Sequence, residues 1–170
     1  MGLVTAGKRL IPGLAALVLM ISFGTYAQQK IGPSGNPLPR FVSMSASKAN
    51  MRTGPGRQYP IRWVYNKRGL PLEIIDEYGA WRKVRDHDGE EGWMLVSLLY
   101  GSRSVMVRGR TRSLHAEPDL SAPVRLTADP GVIAEIERCR GLWCEVSMDG
   151  TSAWIERRHV WGVYAHEELD

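Results

Sequence analysis

Apolar and polar positions follow three successive regimes along the 170-residue chain. Leu10 to Phe23 is a continuous apolar run of 14 residues, preceded by Lys8 and Arg9 and followed by the small-residue stretch Gly24-Thr25-Tyr26-Ala27. Residues 28–40 (QQKIGPSGNPLPR) are rich in Pro and Gly and offer almost nothing to bury, the composition of an extended, mobile linker. Beyond residue 40 the pattern is one of short alternating segments. Leu70, Leu72 and Ile74 alternate with Pro71, Glu73 and Ile75, and Val132, Ala134 and Ile136 repeat the period of two, as half-buried strands do. Pro55-Gly56 reads as a type II turn, Gly79 and Gly141 as hairpin punctuation, and Asp88-Gly89 and Asp149-Gly150 as tight-hairpin dipeptides. No window after residue 40 carries a helical stripe. The prediction is an all-β protein.

The alternating region is a duplication with a period of about 62 residues. Asn50 to Arg62 aligns with Ser113 to Arg125, Gly69 to Ile74 with Gly131 to Ile136, and Gly79 to Val84 with Gly141 to Val146. Asp88 to Met94 aligns with Asp149 to Ile155, and both tryptophan pairs, Trp81/Trp143 and Trp93/Trp154, fall in register. Several strands in about 60 residues, with turn signals every 8 to 12, predict a small closed barrel for each copy. The expected layout is a leader at 1–27, a linker at 28–40, barrels at 41–102 and 103–166, and an acidic tail at 167–170.

The apolar run is short for a spanning helix, which wants about 20 residues, and it fits a secretory signal peptide cleaved after Ala27. The mature protein then has no membrane span, and its expected location is the periplasm or the exterior. Without Lys8 and Arg9 the balance is 20 basic against 18 acidic residues, a net +2 that gives no nucleic-acid footprint. In an exported chain Cys139 and Cys144, with four residues between them, are expected to form a disulfide rather than half of a metal site, because no histidine has ligand spacing to them. That crosslink suits the second copy, whose core positions are lighter: Ala134 stands opposite Leu72, and Leu126 opposite Trp63. The first copy has Glu77 and Arg82 at the cysteine positions, expected as an exposed ion pair.

The block Asn50-Met51-Arg52-Thr53-Gly54-Pro55-Gly56, with Tyr59-Pro60-Ile61, Gly79-Ala80-Trp81-Arg82-Lys83-Val84 and Gly92-Trp93-Met94, resembles the bacterial SH3 domain family. The match is looser in the second copy, where His115, Ala116 and Glu117 replace the Arg-Thr-Gly of the turn. The resemblance implies two tandem SH3-like barrels that act as a binding module for peptidoglycan, a cell-wall peptide or a periplasmic protein.

Trp81 and Val84 are three apart, so a regular strand sends them to opposite faces. Trp81 is then either an exposed platform with Tyr59, Trp63, Tyr65 and Arg57 around it, or, through a bulge, an inward plug. Trp93 and Trp154 are expected in the cores. Arg62, Lys67 and Arg68 read as solvated loop charges, and Arg108, Arg110 and Arg112 as one face of a strand. No nucleophile stands with a base, and neither HExxH nor a paired-carboxylate pattern occurs, so no catalytic residue, metal or cofactor is expected and the chain reads as a non-enzyme.

Overall fold

A computed structural model describes residues 1–2 and 30–170; the expected leader lies outside the described residues. Two seven-stranded antiparallel sheets follow one another with the same strand order. The first contains β3 (Arg40–Met44), β4 (Ala49–Arg52), β5 (Ile61–Tyr65), β6 (Pro71–Tyr78), β7 (Trp81–Arg85), β8 (Glu91–Leu95) and β9 (Leu99–Tyr100) in the order β5-β4-β8-β7-β6-β3-β9. The second contains β10 (Ser104–Val107), β11 (Arg112–His115), β12 (Val124–Ala128), β13 (Ile133–Arg140), β14 (Trp143–Met148), β15 (Thr151–Glu156) and β16 (Val160–Trp161), ordered β12-β11-β15-β14-β13-β10-β16. Strands far apart in the first sheet, such as β3 and β4, feed one core of Val42, Met44, Met51, Leu72, Ile74, Val84 and Met94. The sheet therefore curls around its own apolar face, and the second does the same around Val105, Leu114, Val146 and Ile155.

Glycines set the hairpins where the dipeptides predicted them, with one exception. Met148 pairs with Thr151 around Asp149-Gly150, both with positive φ, as a two-residue type I′ turn requires. In the first copy Arg85 pairs with Glu91, so Asp88-Gly89 sits inside a five-residue loop organised by Asp86. The Asp86 carboxylate accepts from the amides of Asp88 and Glu90 and from the hydroxyl of Tyr65. Gly56 has no positive φ, so Pro55-Gly56 is not a type II turn. The loop instead closes through Gly56 N to Gly54 O (2.9 Å) and by laying the Tyr59 ring against Gly54.

A bulge at the same place in both copies overturns the expectation of an exposed Glu77–Arg82 pair. The register shifts between Ile74 and Asp76 in β6, and between Ile136 and Arg138 in β13. One extra residue moves the inward parity from even to odd positions, so Glu77 and Cys139 turn to the buried side. Glu77 then faces Arg82 across the hairpin, and Cys139 faces Cys144. The cysteines form a disulfide with both residues fully buried. The Glu77 side chain is 1 % exposed; it pairs with Arg40 at 2.7 Å and Arg82 at 3.2 Å.

The mobile linker expected at 28–40 is ordered from Lys30 onward. Strands β1 (Lys30–Ile31) and β2 (Pro37–Leu38) form a small hairpin whose tip residue, Ser34, donates its amide and its hydroxyl to Glu77 (both 2.8 Å). Composition missed this because the hairpin buries little beyond Leu38 and is held by polar contacts. The acidic tail is docked too. Leu169 forms a β-bridge with Cys139, Arg103 pairs with Glu167, and Arg157 donates to the carbonyls of Tyr164, Ala165 and Glu167.

The two barrels pack against each other. Pro71, Leu72, Glu73 and Ile74 are all buried, so β6 lacks the alternating exposure its sequence predicts, whereas Glu135 on β13 is exposed as expected. The outer face of β6 is covered by the second copy. Met106 and Ile133 join the first core, Ser43 and Ser104 share a buried hydroxyl contact, and Phe41 meets Trp161 edge-on at 5.0 Å. Gly162 (φ +120) crosses this seam where a Cβ would lie 2.3 Å from Ser104 O and 3.0 Å from Pro71.

Candidate functional site

The alternation of β7 sends Arg82 and Val84 inward and Trp81, Lys83 and Arg85 outward, so Trp81 takes the outward placement and is not a plug. Across the hairpin Trp81 pairs with Leu95, the last residue of β8, and the short 3₁₀ turn Val96–Leu98 returns Leu98 toward it. These three side chains, with Lys48, Ala49, Asn50, Arg52 and Arg57, line a groove of about 410 Å³ on the first barrel.

Two kinds of cation stand here. Arg52 is committed, because it donates to the carbonyls of Arg57 (3.0 Å) and Tyr59 (2.7 Å) and so fixes the loop at 53–60. Lys48 and Arg57 have no carboxylate partner among the described residues. An indole beside two unpaired cations suits a ligand with a flat or aliphatic portion and a carboxylate.

Of the five residues expected to bind, the groove brings together Trp81 and Arg57. Tyr59 does not line it: its ring lies against Gly54, and its carbonyl accepts from Arg52. Trp63 is 49 % exposed and donates its indole N–H to Glu90, which also accepts from Arg62. Tyr65 packs half-buried on the first core; burial, with Asp86 accepting its hydroxyl proton, raises its pKa well above the usual phenol range. The single aromatic platform is thus divided, since β5 is an edge strand displaced from β7 by two intervening strands. Lys48, Leu95 and Leu98 were missed, because each sits outside the motif blocks: the β7–β8 pairing brings Leu95 and the turn after it to Trp81, and Lys48 enters from the segment before β4.

Other expectations change as well. Trp93 faces outward and half-buried while its neighbour Met94 enters the core. Trp154 is buried, though beneath the guanidinium of Arg138 at 5.4 Å. Arg108 and Arg110 lie in a turn around Gly109, with Arg110 N bonded to Arg108 O, so they share no strand face with Arg112.

The equivalent surface of the second barrel is built differently. His115 replaces Arg52 and holds the matching loop by one bond to Ala122 O (2.8 Å), while exposed Leu120 stands where Arg57 does. Glu156 replaces Leu95 opposite Trp143 and is engaged by Arg158 and His159. Burial and the Arg112 charge hold the His159 pKa below its ordinary value. The second barrel thus presents a paired carboxylate beside its tryptophan where the first presents Leu95.

No curated protein matches the chain. Among solved structures it is similar to NlpC1 from Trichomonas vaginalis (8 % identity, TM-score 0.34, covering 72 % of this chain and 45 % of that one). It is also similar to an NlpC/P60 family protein from Bacillus cereus (16 %, 0.34, 71 % and 55 %) and to NlpC2 from T. vaginalis (9 %, 0.35, 76 % and 50 %). The chain spans about half the length of these structures. Its sequence matches the bacterial SH3 domain family twice, over residues 45–101 and 111–162. With two curled seven-stranded sheets of one topology coinciding with those two matches, the chain belongs to the bacterial SH3 domain family and carries two such domains in tandem.

Proposed function

We propose that this protein is a binding module of the bacterial cell envelope that recognises a peptide of the peptidoglycan through the groove of its first barrel. Domains of this family are typically binding modules, and a fully buried disulfide fits an oxidising, extracytoplasmic compartment. The observation that carries the reading is the groove itself: Trp81 outward, Leu95 and Leu98 beside it, and Lys48 and Arg57 free to meet a carboxylate. Stem peptides of the wall present that pairing of aliphatic and carboxylate groups.

Co-sedimentation with isolated sacculi tests it. The protein is expected to pellet with sacculi at low salt, and Trp81→Ala to abolish pelleting while leaving the folded state intact, because the indole contributes to no core. Pelleting unchanged by Trp81→Ala would remove the groove from the mechanism.

A second reading, a protein–protein adaptor, is favoured by β5. This strand lies at the sheet edge and exposes Ile61, Trp63 and Val64, a surface suited to adding a strand from a partner. Recovery of one stoichiometric periplasmic protein without affinity for sacculi would select it.

A further inference from the structure

A second cavity, of about 610 Å³, lies between the barrels and shares no residue with the groove at Trp81. One wall is the β7–β8 loop of the first barrel with His87 and Asp88. The other is Arg108 with β16 and the segment after Gly162, which supply Trp161 and Tyr164. Glu73 is also part of the lining, but its charge is already balanced: one oxygen accepts from Tyr164 (2.9 Å), the other from Arg85 (3.1 Å). Asp86, also in the lining, is buried and accepts from the Asp88 and Glu90 amides and the Tyr65 hydroxyl. Asp88 and Arg108 then stand without such a partner, one from each barrel. Asp88 is largely exposed, with His87 at 3.2 Å as its neighbour, and Arg108 has no carboxylate partner among the described residues.

Two ring nitrogens in this lining are buried without a hydrogen-bond partner among the described residues, Trp161 Nε1 and His87 Nδ1. The indole N–H can only donate, so it requires an acceptor, and a buried donor left alone carries its full desolvation cost. Arg108 lies over the same indole, 5.8 Å from the ring centroid. One carboxylate can accept from both. A dianion is disfavoured by Asp88 and Glu73 across the cavity, whereas an ammonium on the same ligand would meet Asp88.

We infer that the seam between the barrels is a second ligand site, for a zwitterionic amino acid or the free end of a short peptide. Its carboxylate accepts from Trp161 Nε1 and Arg108, and its ammonium faces Asp88. Because the two walls belong to different barrels, the site exists only in the packed pair, and a ligand there bridges the copies.

The test is a titration of the whole protein with the dipeptide alanyl-alanine, read from the indole N–H resonances, the Trp161 signal being the one that Trp161→Phe removes. That resonance is expected to move on addition of the dipeptide. The C-terminal amide and the Arg108→Gln variant should each bind about tenfold more weakly or worse, the loss expected for a charge-assisted contact. N-acetylation or Asp88→Asn should cost a smaller factor. An unmoved Trp161 resonance at millimolar dipeptide, binding indifferent to Arg108→Gln or to amidation, or equal binding of inorganic phosphate would each overturn the assignment. Loss of dipeptide binding in Trp81→Ala would move it to the first groove and overturn it as well. Sacculus binding tests the other groove and can succeed or fail independently.

Discussion

The two barrels share strand order, bulge and hairpin, yet they fasten the same cross-strand position by different chemistry. The second barrel uses the Cys139–Cys144 disulfide, and the first uses Glu77 facing Arg82, with Arg40 and Ser34 completing the set. The bulge dictates that whatever stands there is buried, so a lone charge is not permitted. A covalent bond satisfies the position with two residues. An ionic solution needs a third and fourth group to take up the carboxylate's lone pairs, which explains why the N-terminal hairpin docks on Glu77. The acidic tail pairs with the backbone of Cys139, so each barrel also closes this edge with a segment from its own end of the chain. The first barrel's staple is therefore sensitive to protonation and the second's to reduction.

Removing the carboxylate should have the largest effect. Glu77→Ala leaves Arg40 and Arg82 facing each other without a counter-charge, at an expected cost of about 3–5 kcal/mol in urea unfolding. Acid acts on the same group more gently. Burial pushes the Glu77 pKa up, but the Ser34 amide, Arg40, the Ser34 hydroxyl and Arg82 outweigh it and hold the carboxyl at about 2 against an ordinary 4.5. A depressed folded-state pKa contributes stability that is present above pH 4.5 and lost as pH falls toward 2. That loss should reach about 3 kcal/mol, seen as a fall in Tm across this window that is shallower in the Glu77→Gln variant, where Glu91, Glu156 and Glu167 still titrate below their ordinary values.

Next in size is the disulfide. Replacing both cysteines with alanine should lower stability by roughly 2 kcal/mol, as the chain-entropy model gives for so short a loop, with little pH dependence between 2 and 4.5. Since both residues are fully buried, the native protein should also resist reductant until it opens, which thiol trapping would show. The smallest effect on stability is expected from Arg57→Leu, which copies Leu120 of the second barrel into the first groove. Surface changes of this kind stay within about 0.5 kcal/mol. Sacculus pelleting should nonetheless fall several-fold, and full retention would show that the cation is not what distinguishes the first barrel's groove from the matching surface of the second.

Much of the fold was readable from residues alone. Alternation, the Gly-bearing hairpins and four aligned blocks require two copies of one strand-rich unit, because period-two burial and left-handed turns are local demands that side chains meet in place. The cysteine pairing was equally legible, as two thiols on either side of a hairpin have no other partner in the chain. Parity with Val84 left Trp81 outward or, through a bulge, inward, and the regular alternation of β7 is what keeps it outward.

Tertiary structure decided what parity could not carry past a bulge or a curl. One extra residue at Ile75 turned Glu77 from a surface charge into a buried one, a change with no mark in composition. Packing of the second copy on β6 buried Glu73, which a single barrel would have exposed, and created the seam cavity that neither repeat contains. The groove needed Trp81, Lys48 and the Leu95–Leu98 stretch, three separate segments of the chain. Local sequence fixes the rhythm of each strand; which faces then meet depends on contacts between residues distant in the chain, and these exist only once the sheets have closed and docked.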